Sequence, residues 1–267
     1  MSASGWYAVA LLDDCRREPV QFRMFGVDGI MKFGPEGRLQ VLLGGHLVPF
    51  CVRASMVFAW IDEIGREPDF ALPILGGEGW TEWAWTHLDV DTDPHWVMRD
   101  LVDVDHYDAV HGYRSARYAS GPTFDGHRLS VHVAFNWDTG LPGPLKYFPA
   151  SFSSEAFGLG FQLTNVLSTA GCYNTRHLVL PVPLEDGRCR ILLGVSTRIL
   201  GRPGQGIAGA GLRHIGHRYI QWAFRRDIAR DRGLWAALQD HPTYPNEPLF
   251  VAYEAWTQQF QSQRAAS

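Results

Sequence analysis

The sequence predicts an α+β fold in which an antiparallel sheet wraps around a long helix near the C-terminus. Short apolar runs separated by Asp, Gly and Pro turns fill the first 77 residues, which is typical of strands. More strand-like runs occupy the middle of the chain, and apolar residues recur at helical spacing over residues 212–238. Strands followed by a long helix favour a sheet packed on that helix.

The N-terminal runs predict five strands, at residues 7–12, 20–25, 30–33, 39–43 and 56–61. No run there has a sustained helical period, so we expect a small β region, too thin for a core of its own. Beyond it, the patterns predict a strand at 80–90, a helix at 94–110, four strands at 129–135, 157–167, 177–183 and 189–197, and helices at 212–238 and 250–260. We therefore expect two domains, residues 1–77 and residues 78–267.

Bulk properties exclude several classes of function. The chain has 267 residues, of which 46% are hydrophobic, and a net charge of −4 without a basic stripe, which argues against nucleic acid as a partner. Its apolar stretches are too short to span a membrane, and the N-terminus does not have the pattern of a signal peptide. Four cysteines far apart in sequence indicate reduced thiols and a cytoplasmic protein. The high aromatic content indicates either a well-packed core or a cavity for a large apolar ligand.

The strongest chemical signal is a histidine pair, His106 and His111, within an acidic segment. On a helix that ends in a loose turn, the two imidazoles can face one point. With a distant carboxylate they would form the facial triad that leaves open positions on Fe(II). Asp103, three residues before His106, could accept the proton of a ligand's second ring nitrogen. The alternative is an exposed acidic helix with two incidental histidines, and the pair alone does not decide between them.

The sequence resembles the oxygenase subunits of Rieske-type non-haem iron enzymes. Asp-x-x-His-x₄-His-Gly, at residues 103–112, is similar to the non-haem iron motif of that family. Residues 5–10 resemble the usual opening of these subunits, and residues 56–68 resemble the segment that ends their Rieske domain. The C-terminal Asp231-Arg-Gly-Leu-Trp235 resembles a segment of the branch that contains 3-ketosteroid 9α-hydroxylases and cholesterol 7-desaturases.

The resemblance implies a helix-grip (START-like) catalytic domain after a truncated Rieske-like β region. It implies that His106, His111 and Asp231 bind a mononuclear Fe(2+). Asp103 would lie behind the histidine ligands. Asp227, one helical turn before Asp231, is the rival third ligand.

The departures from the family are equally specific. The family holds its [2Fe-2S] cluster with Cys-x-His and Cys-x-x-His, and this sequence contains neither motif. Residues 41–49 are short where the family has a long cluster-binding insertion, so we expect no cluster. Asp100 stands where the family has Asn, and Asp105 replaces a small apolar residue beside His106. These acids add negative charge near the expected metal, and Asp103 and Asp105 are our candidate catalytic residues.

Without a cluster the family's electron relay is broken, and three functions remain. The first is a mononuclear iron oxidoreductase, similar to an oxygenase, which takes electrons from its substrate or from a separate electron-transfer protein. The second is a non-redox isomerase, cyclase or dehydratase that uses the inherited pocket with or without metal. The third is a protein that only binds a hydrophobic ligand. In each case we expect a hydrophobic small molecule, with rings if it follows the steroid branch. The resemblance also implies a homotrimer, although the geometric need for one disappears with the cluster.

Overall fold

The computed structural model describes residues 4–138, 143, 146–168, 173–185, 187–199, 207–240 and 247–261. It is mostly sheet with a few helices, which confirms the predicted α+β class. Cys15, Cys51 and Cys189 are free thiols, and Cys172 lies outside the described residues. None of the described helices is both long and apolar enough to cross a membrane.

The N-terminal region forms two small antiparallel sheets. Strands β1, β7 and β6 make the first, and β2 to β5 make the second. The elements are β1 (Gly5–Leu11), α1 (Leu12–Arg17), β2 (Val20–Met24), β3 (Val27–Phe33), β4 (Leu39–Leu43), β5 (His46–Leu47), β6 (Phe50–Arg53) and β7 (Met56–Ile61). Helix α1 was not predicted, because six residues are too few to show a helical period.

A seven-stranded antiparallel sheet forms the body of the molecule, in the order β8-β14-β13-β12-β11-β10-β9. Its strands are β8 (Ala84–Val90), β9 (Arg114–Asp125), β10 (Arg128–Asp138), β11 (Tyr147–Phe157), β12 (Gln162–Ser168), β13 (Tyr173–Glu185) and β14 (Arg188–Ile199). Sequence reasoning missed β9 and β11. Strand β9 is largely exposed and polar, and the buried positions of β11 include Ser154 and the small residues Ala150 and Ala156, so neither strand stands out as an apolar run.

Both long helices predicted from the sequence are interrupted. The expected helix at 94–110 consists of α2 (Pro94–Arg99), a 3₁₀ turn at Asp100–Val102, and α3 (Val104–Ala109). The expected helix at 212–238 consists of α4 (Ile207–Ile228), a 3₁₀ turn at Ala229–Asp231, and α5 (Arg232–Asp240); the last helix is α6 (Pro248–Gln258). Helix α4 packs against β8 and β14. The more detailed helix-grip description stays a prediction.

The large sheet has an apolar core on each face. Leu178 and Leu180 of β13 pack with Tyr7 and Phe58 of the N-terminal strands, whereas Val179 points to the opposite face and packs with helical residues. This alternation follows from the two-residue period of a strand. The N-terminal region therefore shares its core with the large sheet. The predicted boundary at residue 77 falls between β7 and β8 and stays a prediction.

Gly160 lies where the N-terminal strands meet the large sheet. A Cβ at this position would lie 2.3 Å from the backbone oxygen of Trp6 and 2.6 Å from the ring of Tyr7. We expect Gly160→Ala to lower the free energy of unfolding by about 1–3 kcal/mol, because the buried backbone must move apart. Gly121→Ala is the control, since a Cβ there meets nothing within 4 Å. Urea unfolding curves that coincide for the two variants would contradict this view of the interface.

A tight hairpin occupies the middle of residues 41–49. Strands β4 and β5 pair Leu43 with His46 and are joined by Gly44 and Gly45. Both glycines have positive φ, 57° and 84°, as a two-residue type I′ turn requires. His46 is exposed on β5.

Candidate metal centre

Three side chains from distant parts of the sequence meet at one point. Ligand atoms of His106, His111 and Asp231 all lie within 4.8 Å of one another. His106 and Asp231 are buried, and the side chain of His111 is 4% exposed. These are the three residues that the resemblance implied as ligands, and the structure brings them together.

Helix α3 positions His106. Asp103 is the N-cap of the helix, and its Oδ1 accepts a hydrogen bond from the backbone N–H of His106 at 3.2 Å. The backbone carbonyl of Asp103 accepts a second bond, from Nδ1 of the His106 ring. This bond fixes the tautomer and leaves Nε2 as the ligand atom, which is the usual arrangement around metal-binding histidines. Asp103 thus holds the His106 ring through its backbone carbonyl and caps α3 through its carboxylate, whereas the sequence suggested that the carboxylate would hold the ring.

His111 follows α3, and Gly112 with φ of 72° turns the chain away toward β9. Nδ1 of His111 lies 3.1 Å from Oδ1 of Asp227, although the N–H is not directed well enough for a hydrogen bond. Oδ2 of Asp227 accepts a bond of 2.6 Å from the hydroxyl of Tyr113. Asp227 therefore lies beside Nδ1 of His111, with its other carboxylate oxygen held by Tyr113. The choice of Asp231 over Asp227 as the third ligand stays a prediction.

Asp231 sits in the 3₁₀ turn between α4 and α5, with its side chain 2% exposed. Its Oδ1 lies 3.3 Å from Nε2 of His111 and has no hydrogen-bond partner among the described residues. Burial, and then the nearby carboxylate of Asp100, raise the pKa of Asp231 to about 8. A buried, unbonded carboxylate oxygen beside an imidazole nitrogen is costly unless a proton or a cation binds there.

Opposing effects set the charges of the supporting pair. Burial alone would lower the pKa of His111, but the carboxylate of Asp227 outweighs burial and raises it. Burial would likewise raise the pKa of Asp227, but His111 and Tyr113 outweigh it and lower it. The pKa of Asp227 is therefore lowered within the cluster, whereas that of Asp231 is raised to about 8.

The two remaining acids of the motif lie in different environments. Asp100 is next to the cluster, where burial raises its pKa, and its Oδ2 accepts a hydrogen bond of 2.9 Å from Nε1 of Trp235. This bond ties α5 to the turn before α3. Asp105 is exposed on α3 and the structure does not bring it to the cluster. The catalytic role predicted for Asp105 stays a prediction.

A cavity of about 780 Å³ adjoins the cluster, with His111, Asp227 and Tyr113 in its wall. The rest of the wall comes from the inner face of strands β10 to β13 and from α4, with Phe135, Phe152, Val179 and Phe224 among its apolar members. This volume is in the range of small-molecule sites. The arrangement can hold a large apolar ligand against a site for a divalent cation.

Sequence reasoning missed Tyr113 and undervalued His177. Tyr113 stacks on Phe135 at 4.4 Å and anchors Asp227, and the signal available was its position directly after the motif. His177 on β13 also lines the cavity, and its Nε2 has no hydrogen-bond partner among the described residues.

The sequence is similar to those of known oxygenase components. The 3-ketosteroid-9-alpha-monooxygenase oxygenase component of Rhodococcus rhodochrous is 32% identical over 28% of this chain and 20% of that protein. Another protein of the same organism, named a probable 3-ketosteroid-9-alpha-monooxygenase oxygenase component, is 25% identical over 47% of this chain and 45% of that protein. The chain thus matches less than half the length of these curated relatives.

The fold also matches a crystal structure of dicamba monooxygenase bound to 3,6-dichlorosalicylic acid, with a TM-score of 0.70, over 98% of each chain. The identity is 12%, so this likeness shows the fold alone. A family model described as the 3-ketosteroid 9alpha-hydroxylase C-terminal domain matches residues 59–260. Because that match covers most of the sequence, the resemblance seen in the motif is confirmed, and the chain belongs to this family.

Proposed function

We propose that this protein is a mononuclear non-haem iron oxidoreductase, similar to an oxygenase, that acts on a hydrophobic, ring-containing substrate. The observation that carries the proposal is the convergence of His106, His111 and Asp231 beside a cavity of about 780 Å³. The relatives are named for 3-ketosteroids, which supports a fused-ring substrate of similar size. Electrons would come from a separate electron-transfer protein or from the substrate, because the chain lacks the cysteine–histidine motifs of the family's cluster.

The residues fit a divalent cation. Two ligand atoms bound at about 2.0–2.2 Å with angles near 90–110° lie about 3 to 3.5 Å apart. The separation of 3.3 Å between Nε2 of His111 and Oδ1 of Asp231 falls in this range. A cation would also satisfy the unbonded Oδ1. When bound, Fe(2+) supplies open coordination positions for dioxygen and substrate.

The chain's own residues would do the rest of the work. His106 and His111 are oriented by the Asp103 carbonyl and the Asp227 carboxylate. Phe135 and Phe152 exclude water from the inner cavity wall. Asp231 releases its proton when a cation binds, so the cluster remains close to neutral in charge.

A second candidate function is a non-redox enzyme that transfers protons from the same pocket. The observation that favours it is Asp231, whose pKa of about 8 matches a general acid or base near neutral pH. In such an enzyme the metal would be a Lewis acid or absent. A protein that only binds the hydrophobic ligand remains the third candidate, on the cavity alone.

One experiment separates the three candidates. The protein would be purified anaerobically, and its metal content and oxygen uptake with a 3-ketosteroid and a chemical reductant compared with those of His106→Ala. Our proposal predicts about one iron per chain and substrate-dependent oxygen uptake, both lost in His106→Ala. Turnover without oxygen would favour the proton-transfer enzyme, and ligand binding without turnover would favour the binding protein.

The affinity for metal should depend on pH in a defined direction. Because burial raises the pKa of Asp231 to about 8, the metal-free carboxyl holds a proton at pH 6 that a cation must displace. We expect the apparent affinity for Co²⁺ to rise by at least about tenfold per pH unit from pH 6 to 8 and to level off above, because His111, whose pKa is also raised, must release its proton as well. The visible absorbance of bound Co²⁺ measures it. An affinity independent of pH over this range would show that Asp231 is already ionised.

A further inference from the structure

A second polar position lies in the cavity, apart from the candidate metal ligands. His177 lies on β13, between Thr175 and Val179 on the strand face that lines the cavity. Its ring packs at a tilt against Phe224 of α4, with centroids 4.1 Å apart. Burial lowers the pKa of His177 to about 4, so the ring is neutral at physiological pH.

The strand register places His177 in a row of polar residues. His177 pairs directly with Thr164 of β12, and Thr164 pairs directly with Ser154 of β11. Side chains at directly opposite positions lie on the same face of a sheet, so the three form a line across the cavity wall. Gln162, two residues before Thr164, lies on the same face.

His177 differs from the other members of this row because its hydrogen-bonding capacity is unused. The hydroxyls of Ser154 and Thr164 bond to each other at 2.6 Å, and Nε2 of Gln162 donates to Thr164 at 3.2 Å. His177 makes no hydrogen bond to any described residue, and its Nε2 is buried. Leaving a buried polar atom without a partner costs about 1–3 kcal/mol, so such an atom commonly signals a missing partner.

We propose that His177 is a specificity-determining residue, which forms a hydrogen bond to an uncharged oxygen substituent, a carbonyl or hydroxyl, of the hydrophobic substrate. This inference rests on the proposed function for the apolar ring-containing body of that substrate. The substrate then has two contacts of different kinds: its reacting carbon faces the metal centre, and its oxygen faces β13.

A pair of ligands that differ in one oxygen tests the proposal by direct binding. Androst-4-en-3-one carries a ring ketone, and androst-4-ene has the same skeleton without that oxygen. Equilibrium dialysis with gas chromatography gives both dissociation constants for the full chain. For each protein the measured quantity is the ratio of the two dissociation constants. The greater hydrophobicity of the hydrocarbon contributes equally to this ratio in the wild type and in a variant, so it cancels when the two ratios are compared.

In His177→Phe, which keeps a ring against Phe224, we expect the ratio to shift by about 2- to 12-fold toward the hydrocarbon, the range of one neutral hydrogen bond. His177→Leu provides the same test if the Phe variant does not fold. His132→Leu is the control, because His132 lies on β10 outside the cavity wall, and its ratio should equal that of the wild type. An unchanged ratio in both His177 variants, or an equal shift in His132→Leu, would overturn the proposal.

The same measurement in His106→Ala separates this inference from the proposed function. Loss of metal from that variant tests the iron site, whereas its ligand ratio tests His177. We expect the metal to be lost and the wild-type ratio to remain. A metal-free wild type that keeps the ratio would refute the iron proposal alone, and a wild type that binds neither steroid would refute the role of His177.

Discussion

Alanine in place of His106, His111 or Asp231 is expected to lower the affinity for a divalent ion by more than about 100-fold. Loss of a supporting residue around a metal typically costs about 10–100-fold, and loss of a ligand removes a coordinate bond as well. Asp231→Ala also removes the buried acid whose Oδ1 has no other partner in the described structure. Competition with a coloured chelator under anaerobic conditions measures the affinity without requiring turnover.

Two acids of the same region serve as controls for that experiment. Asp105→Asn should leave the affinity unchanged, because Asp105 is exposed on the outer side of α3. Asp227→Asn should weaken binding by about 10–100-fold, because Asp227 supports His111. Should Asp227→Asn abolish binding while Asp231→Asn leaves it intact, the assignment of ligand and supporting residue would have to be exchanged.

Trp235→Ala is expected to lower the free energy of unfolding by about 3–5 kcal/mol, the usual cost of removing a buried Trp. Trp235 is 1% exposed and packs with Leu88, Val97 and Ile191 between α5 and the large sheet. The substitution also leaves Oδ2 of Asp100 without its indole donor. We therefore expect the substitution also to loosen the turn that precedes α3, which carries the metal-ligand candidate His106.

Urea unfolding of the metal-free protein measures this loss, with Trp222→Ala as the matched control. Trp222 is 55% exposed on α4, so its removal should change the stability by less than about 0.5 kcal/mol. A similar, small loss in both variants would mean that Trp235 does not connect α5 to the sheet in solution.

Much of the fold was predictable from the sequence, because apolar runs and turn residues mark buried strands directly. Strands β4 and β7 were predicted with the bounds that the structure has. The interruptions of the helices were not predictable from periodicity. At residue 103 the backbone leaves the helical region, with φ of −112° and ψ of 84°, so that Asp103 can cap α3. Capping competes with helix continuation at such residues, and the apolar spacing does not report which one wins.

The candidate metal centre was predictable in part. The motif and the resemblance pointed to His106, His111 and Asp231, and the structure brings the three together. Helical spacing alone left Asp227 as a rival to Asp231, because two acids four residues apart share one helix face, and the resemblance favoured Asp231. The structure places Asp231 in the 3₁₀ turn at Ala229–Asp231, after α4 has ended. The position of His177 in the cavity wall could not be predicted either, because it depends on the pairing of His177 with Thr164 in the sheet.

The Gly44–Gly45 hairpin is a position at which the fold can tolerate a long insertion. A two-residue turn holds its strand ends side by side, and a lobe grafted there would leave the pairing of Leu43 with His46 intact. The entropy of closing a longer loop grows only slowly with its length, so the host sheets would tolerate such a graft. The turn is therefore a position at which a longer insertion can be accommodated while β4 and β5 stay paired.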